Sequence, residues 1–232
     1  MSSNLRVAII GARGRMGSFA CKWLDGQLGL EVVSKIHSNQ DLAKGLASSD
    51  AQVALDLTRA GLGAEHAAKI LMAGMRPVIG TSGVGYDSDV GLDLLARERD
   101  LGGLIVPNFS IGVCLQQALA VIVAKQLGSI EIVEQHHMRK ADKPSATALD
   151  TASRIQAIQP PGSPGVPIHS LRTQGVHSNQ SVICTGPGEV LRLVHETYDL
   201  EAFGPGISLA LRHVMGMTGM RRGLQHCLGD LH

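Results

Sequence analysis

The side chains best suited to chemistry are concentrated between Glu131 and Asp150. His136 and His137 are adjacent, and Lys140 follows shortly after them. Histidine exchanges protons near neutral pH, and a lysine ammonium stabilises negative charge that develops on a bound molecule. The pattern therefore indicates proton transfer on an anionic substrate, with a structural or surface histidine pair as the alternative.

The turn after the histidines offers groups that bind anions. Pro144 favours a first helical turn, where Ser145 and Thr147 supply hydroxyls and backbone N–H groups. A helix N-terminus of this kind attracts a carboxylate. A metal site would need more ligands at suitable spacing, so we expect no metal here.

A β-branched run, Ile130–Val133, predicts the buried strand that carries the two histidines. Side chains alternate in direction along a strand. One histidine is therefore expected to face a cleft and the other a neighbouring contact, and the sequence leaves open which is which.

A second site is indicated near the start of the chain. Leu5–Ile10 predicts a strand, and apolar residues at helical spacing begin at Met16. Between them, Gly11, Gly14 and Gly17 form the pattern GxxGxxG. Strand, glycine turn and helix are the context of a dinucleotide site, in which the pyrophosphate lies at the helix N-terminus. A glycine-rich turn without a nucleotide is the alternative.

Strands and helices alternate through the first half of the chain. Further strands are predicted at Leu30–Ile36, Val53–Leu57, Pro77–Ile79 and Leu104–Val106. Alternation indicates a parallel sheet that binds ligands at the carboxyl ends of its strands. The loops Gly80–Gly83 and Val106–Phe109 lie at such ends.

The second half differs in character. A long apolar helix is predicted at Val113–Leu127, and a final helix at Ile207–Met215 is expected to pack back on the first domain. Strands are predicted at Ile168–Leu171, Ser181–Thr185 and Val190–His195, the last two joined by a glycine turn. We therefore predict an α/β protein with a Rossmann-like parallel-sheet domain, residues 1–110 and 205–232, and a smaller α+β domain with a mixed sheet, residues 111–204.

Composition excludes several classes of function. The chain has 232 residues, 44% of them hydrophobic, and a net charge of +1 with 3% aromatic residues. These values give no support for a nucleic-acid partner. The four cysteines are far apart, which favours free thiols in a reducing compartment. With no apolar run long enough to span a bilayer, a soluble cytoplasmic protein without a membrane partner is expected.

The order Glu134-x-His136-His137, then Lys140, Asp142 and Pro144-Ser145-x-Thr147, resembles the signature of the dihydrodipicolinate reductase family. Gly14-Arg-Met-Gly17 and the loop Pro107–Gly112 also match family motifs, and the resemblance covers nearly the whole chain. Three positions depart from the family pattern, namely Ala146, Asn179 and Leu200.

The resemblance implies an NAD(P)H-dependent reduction of 4-hydroxy-tetrahydrodipicolinate, a small dicarboxylate of lysine biosynthesis, by a homotetramer assembled through the second domain's sheet. It assigns acid/base catalysis to His136 with Lys140 as its partner, and substrate binding to His137, Ser145, Ala146 and Thr147. The expected cofactor-binding residues are Gly11, Ala12, Arg13, Gly14, Arg15, Met16, Ser38, Gly80, Thr81, Ser82, Val106, Pro107, Asn108 and Phe109.

The tip of the second strand bears on the choice of cofactor. It reads His37-Ser38-Asn39, without the carboxylate that bonds the ribose of NADH. Arg13 replaces the usual middle glycine and is expected to reach the 2′-phosphate of NADPH, unless it is simply solvated. We therefore expect NADPH to be accepted at least as well as NADH.

Two other functions remain open at this stage. One is a catalytically impaired nucleotide-binding homologue, supported only by the three departures from the family pattern. The other is a different NAD(P)-dependent oxidoreductase that acts on a small carboxylate.

Overall fold

The computed structural model describes residues 4–81 and 83–229. Its strands are β1 (Leu5–Ile10), β2 (Leu30–Ile36), β3 (Val53–Asp56), β4 (Arg76–Ile79), β5 (Gly102–Ile105), β6 (Ser129–His137), β7 (Ile168–Thr173), β8 (Ser178–Gly186), β9 (Glu189–Thr197) and β10 (Gly219–Arg222). Its helices are α1 (Arg15–Asp25), α2 (Leu42–Ala47), α3 (Gly63–Met72), α4 (Asp89–Glu98), α5 (Ile111–Ala124), α6 (Ala146–Gln156) and α7 (Gly204–His213). The described residues fall into two compact units, one formed by 4–109 with 203–229 and the other by 110–202.

The first unit is built on a parallel sheet with strand order β10-β5-β4-β3-β1-β2, which confirms the predicted α/β class. Val53–Asp56 is buried along its whole length. Strands covered on both faces need apolar side chains at successive positions, which is why the central strands read as continuous runs.

Two elements of this unit were not predicted. Gly219–Arg222 holds one apolar side chain, so its sequence shows no strand pattern, yet it pairs in parallel with β5 at the sheet edge. Leu42–Ala47 is too short for a clear helical period, and Asp41 caps it by accepting from the Lys44 N–H.

The second unit contains a mixed sheet with strand order β7-β6-β8-β9, as predicted. Strand β6 is parallel to β7 and antiparallel to β8. The β8–β9 hairpin closes at the pair Gly186 and Glu189, and Gly188 adopts the φ of 78° that its tight turn requires. Helices α5 and α6 pack on one face, where the buried cluster includes Ile132, Ile155 and Val182.

A buried polar network fixes the two helices on this sheet. The amide of Gln116 on α5 donates to the carbonyl oxygens of Gln180 and Leu193, each at 2.8 Å. Gln180 in turn donates to Gln116 and to the hydroxyl of Thr151 on α6, each at 3.0 Å. Because buried hydrogen bonds are directional, they fix the helices relative to β8 and β9.

Within the described ranges, no helix is both long enough and apolar enough to cross a membrane.

Candidate functional site

The turn between β1 and α1 has the geometry of a nucleotide-binding loop. Gly11 has a φ of 81°, and a Cβ there would lie 2.9 Å from the carbonyl oxygen of Leu57. A Cβ on Gly17 would collide with the carbonyl of Gly11. The first and last glycines of the motif are thus required by backbone conformation and by close packing.

This turn borders a cavity of about 650 Å³ in the first unit. Six of the predicted cofactor residues line it, namely Gly11, Arg13, Gly14, Arg15, Met16 and Ser38. Ala12 is buried and is not among the lining residues.

The cavity carries a strong excess of positive charge. Arg13, Arg15 and Arg59 line it, and none of the described lining residues is an aspartate or a glutamate. Arginine binds phosphate through two parallel hydrogen bonds, so this lining suits the phosphates of a dinucleotide. The sequence had singled out Arg13 but had assigned no role to Arg59, His37 or His66, which also line the cavity.

A buried carboxylate positions His66 at this cavity. Asp56, at the end of β3, is fully buried and accepts from the Thr58 N–H at 2.9 Å. Its other oxygen lies 3.0 Å from Nδ1 of His66 on α3. The sequence contained a signal for Asp56, because a carboxylate at the end of an apolar strand is unusual. It contained no signal for the pairing with His66, because that residue lies on another element.

The remaining predicted cofactor residues that the structure describes follow the carboxyl ends of β4 and β5 in the parallel sheet. Thr81 and Val106 are buried, whereas Pro107 is exposed and Asn108 is half-buried. The ring of Phe109 packs so closely on Gly80 that a side chain there would collide with it. Ser82 falls outside the described residues.

His136 lies in the second unit, on the face of β6 that the helices cover. Its Nδ1 is 2.5 Å from Oε2 of Glu134, two residues earlier on the same face. Glu134 is fully buried. Burial favours its neutral form, but hydrogen bonds, first from Arg172 and then from Ser170 and His136, outweigh that effect and hold the pKa of Glu134 below its usual value.

The imidazole of His136 is subject to opposing influences. Burial lowers its pKa, the hydrogen bond and charge of Glu134 raise it, and the charges of Lys140 and Arg172 lower it again. The net pKa lies below the ordinary value of histidine. In the free protein, His136 is therefore mostly neutral at pH 7.

Lys140 lies on the loop after β6, with its ammonium 2.7 and 2.9 Å from the two carboxylate oxygens of Asp142. Its side chain is 22% exposed. The backbone of this loop is held by Arg172, which donates to the carbonyl of Lys140 at 3.2 Å and also to the carbonyl of Asp142.

The predicted substrate residues have different environments. His137 lies on the opposite face of β6 from His136, and its Nδ1 is buried without a hydrogen-bond partner among the described residues. Ser145 caps α6, since its hydroxyl accepts from the Ala148 N–H at 3.2 Å while its own N–H donates to Glu134 at 3.3 Å. Ala146 is exposed at the first position of α6, followed by half-buried Thr147.

Glu134 thus links His136 to the start of α6, and Arg172 links Glu134 to the loop of Lys140. Glu134 stands in the family signature, but neither Glu134 nor Arg172 had been assigned a role from the sequence. The spacing of Glu134 and His136 puts both side chains on one face of a strand, and this was the available signal.

The chain is similar to known proteins over nearly its whole length. Residues 5–109 match the family model described as "Dihydrodipicolinate reductase, N-terminus", and residues 112–228 match "Dihydrodipicolinate reductase, C-terminus".

Curated relatives and a solved structure agree with this match. The chain is 38% identical to 4-hydroxy-tetrahydrodipicolinate reductase of Legionella pneumophila (strain Corby), over 96% of this chain and 99% of the relative. It is 35% identical to the enzyme of the same name from Coxiella burnetii (strain Dugway 5J108-111), over 97% and 99% of the two chains. A dipicolinate-bound dihydrodipicolinate reductase from Paenisporosarcina sp. TG-14 superposes with a TM-score of 0.85 at 28% identity, covering 96% of this chain and 99% of that one. Two family models that together span the chain, with relatives above 30% identity at nearly full length, show that it belongs to the dihydrodipicolinate reductase family.

Proposed function

We propose that this protein reduces 4-hydroxy-tetrahydrodipicolinate to tetrahydrodipicolinate with a reduced nicotinamide cofactor. The observation that carries the proposal is the arrangement of His136, whose ring is bonded to a buried carboxylate beside a loop that supplies a lysine. This is the arrangement expected of a proton-transfer group for an anionic substrate.

The cofactor supplies a hydride when it is bound. The hydroxyl group leaves the precursor as water, hydride delivery to the resulting conjugated ring builds negative charge, and a proton must then be added to the ring. We assign the proton transfer to His136, because a nearby dianion favours its protonated form. Lys140 contacts Asp142 in the free protein. When the substrate binds, Lys140 leaves Asp142 and places its positive charge against the substrate. His137, Ser145, Ala146 and Thr147 are proposed to bind the substrate's carboxylates.

The residues of the first unit support a nicotinamide dinucleotide that carries phosphate. The tight glycine turn leaves room for a pyrophosphate, and the cavity lining combines arginines with the hydroxyl of Ser38. Because no carboxylate lines this cavity among the described residues, nothing there repels a 2′-phosphate. We therefore propose that NADPH is used at least as well as NADH.

The choice of cofactor is tested with Arg13→Ala. We expect kcat/KM for NADPH to fall by about ten-fold or more, with a smaller loss for NADH, as expected when one charged phosphate contact is removed. A strong wild-type preference for NADH, or equal losses with both cofactors, contradicts the assignment.

We further propose a homotetramer assembled through the mixed sheet. The face of this sheet opposite α5 and α6 carries Leu171, Val190 and Val194, which are 46%, 51% and 58% exposed. Apolar side chains clustered on an exposed sheet face are typical of subunit interfaces.

Light scattering after gel filtration should give four chains per particle, and Val194→Asp should dissociate them. Val90→Asp, at an exposed position on α4, is the matched control.

The activity is tested by following oxidation of the reduced cofactor with freshly prepared dicarboxylate. Turnover with this substrate and none with simple keto acids supports the proposal. Binding of NADPH without turnover would instead indicate an impaired homologue, and turnover only with another carboxylate would indicate a different oxidoreductase.

A further inference from the structure

Arg172 lies at the centre of a hydrogen-bond network in the second unit. Its side chain is 7% exposed, and that of Glu134 is fully buried. Nη1 donates to Oε2 of Glu134 and Nη2 donates to Oε1, both at 2.9 Å. A planar guanidinium makes this paired contact, and a lysine ammonium cannot reproduce it.

The same carboxylate determines which nitrogen of His136 carries the proton. Oε2 of Glu134 accepts from Arg172 and also lies 2.5 Å from Nδ1 of His136. An ionised carboxylate can only accept hydrogen bonds. In the neutral ring, Nδ1 must therefore be the protonated nitrogen, and Nε2 is left as the nitrogen that can take up a proton.

The guanidinium also holds the loop that follows β6. Its Nε donates to the carbonyl oxygen of Lys140 at 3.2 Å, and Nη2 also donates to that of Asp142. The backbone on both sides of Ala141 is therefore attached to β7 through one side chain. The backbone position of Lys140, from which its side chain extends, therefore depends on the hydrogen bonds that Arg172 donates.

We propose that Arg172 is a positioning residue, which sets the tautomer of His136 through Glu134 and fixes the loop that carries Lys140. Its importance for turnover presupposes the reductase function proposed above. The tautomer and the loop contacts belong to the free protein and can be measured without turnover. The competing explanation is a buried ion pair that serves stability alone.

The tautomer is measured by nitrogen-15 NMR of histidine-labelled protein, with the His136 signal assigned from its loss in His136→Gln. The wild type should show Nδ1 protonated and Nε2 unprotonated in the neutral ring. Glu134→Gln and Arg172→Lys should both weaken this preference. A wild-type ring protonated on Nε2, or spectra unchanged in both variants, overturns the proposal.

Kinetics supply the second readout. Arg172→Lys keeps the positive charge but loses the paired contact of the guanidinium with Glu134. We therefore expect kcat to fall about ten- to a hundred-fold while KM for the cofactor stays within about two-fold. Arg154→Lys is the matched control, since Arg154 pairs with Asp150 on α6 of the same unit at 2.9 Å. Wild-type kcat in Arg172→Lys contradicts the positioning role.

The pH dependence separates positioning from stability. Because Glu134 raises the pKa of His136, Glu134→Gln should move the corresponding limb of the kcat profile to lower pH.

The double variant Glu134→Gln/Arg172→Gln contains no unpaired buried charge, so its melting temperature should recover relative to Arg172→Gln while kcat stays low. Recovery of kcat together with stability would assign the pair a purely structural role.

The two proposals fail in different ways. If the wild type does not reduce the dicarboxylate, the proposed function fails, and the tautomer measurement still decides the role of Arg172. If Arg172→Lys does not fold, Glu134→Gln alone tests the tautomer and the shift of the pH profile.

Discussion

At the scale of single residues, His136 illustrates how neighbours tune one imidazole. Burial and two cations lower its pKa, while Glu134 raises it. The low net pKa favours the neutral ring in the free protein, and we propose that a bound dianionic substrate then favours protonation. Under that proposal, the same ring accepts a proton in the free protein and donates one next to an anionic substrate.

His136→Gln should lower kcat by about 10²-fold or more, with a smaller effect on KM, because it removes a proton-transfer group and leaves the binding residues in place. Steady-state kinetics with both substrates give the two parameters. A kcat within a few-fold of wild type would remove His136 from this role.

Ala146 departs from the family pattern without backbone strain. The residue occupies the first position of α6, and Asp100 is the only described residue other than glycine that has a positive φ. No glycine is therefore required at position 146, and its N–H remains available to a ligand at the helix N-terminus.

Ala146→Gly should leave the affinity for pyridine-2,6-dicarboxylate unchanged or improve it, and should cost up to about 1 kcal/mol of stability through lower helix propensity. Calorimetric titration and thermal unfolding measure the two effects. A large loss of affinity would reveal a role for the alanine methyl group.

At the scale of elements, the sequence predicted those strands and helices whose ends are marked by local patterns of apolar and polar residues. Leu30–Ile36 was predicted with its observed ends, because an apolar run bounded by polar turns marks a strand. Ser129–His137 is longer than predicted, since its ends are held by pairing with β7 and β8 rather than by local preference.

Contacts between distant segments account for what was missed. The bonds of Arg172 to Glu134 and of His66 to Asp56 join different elements. The spacing of residues within a single stretch of sequence does not predict such bonds. Gly219–Arg222 has no strand pattern and is fixed by its partner strand. The candidate site was therefore predictable where a motif lies in one stretch, and not where a partner folds in from elsewhere.

The start of α5 depends on one close contact. Ser110 caps the helix, and its hydroxyl lies 3.1 Å from Nε2 of His195 on β9. A Cβ on Gly112 would lie 2.6 Å from the same imidazole, so Gly112→Ala must displace it. We expect a loss of about 1–3 kcal/mol, the usual cost of overpacking.

Urea unfolding of Gly112→Ala measures this cost, and Gly128→Ala is its control. Gly128 is in the same unit, and an added Cβ there meets no atom within 4 Å. Equal stabilities of the two variants would show that the imidazole moves aside at no cost.

At the scale of the whole molecule, the chain leaves the first unit after Phe109 and returns to it at Phe203. The returning segment is anchored by the indole of Trp23, which donates to the hydroxyl of Ser208 at 3.0 Å and packs on Gly204. The arginine-lined cavity and the His136 network each form within one unit. We therefore expect a mutation in one of these two groups of residues to leave the other intact.

The stability of the folded chain should depend on pH through two half-buried histidines, His136 and His195. Burial lowers the pKa of His195, and burial is also the largest cause of the lowered pKa of His136. Below the ordinary histidine pKa of about 6.5, the unfolded chain binds more protons than the folded chain, so the free energy of unfolding falls as pH falls. The carboxylates of Glu134 and Asp142, whose pKa values are also lowered, lose their contribution only at more acidic pH.

We therefore predict that urea midpoints change little between about pH 8 and about pH 7 and fall increasingly towards about pH 5.5, because the unfolded histidines take up protons near pH 6.5. The double variant His136→Gln/His195→Gln should be less stable at pH 8 but should show a flatter dependence over that range. Circular dichroism at matched ionic strength provides the measurement. A midpoint that is constant or rises on acidification, or a slope that is unchanged in the double variant, would show that these two histidines do not govern the pH dependence.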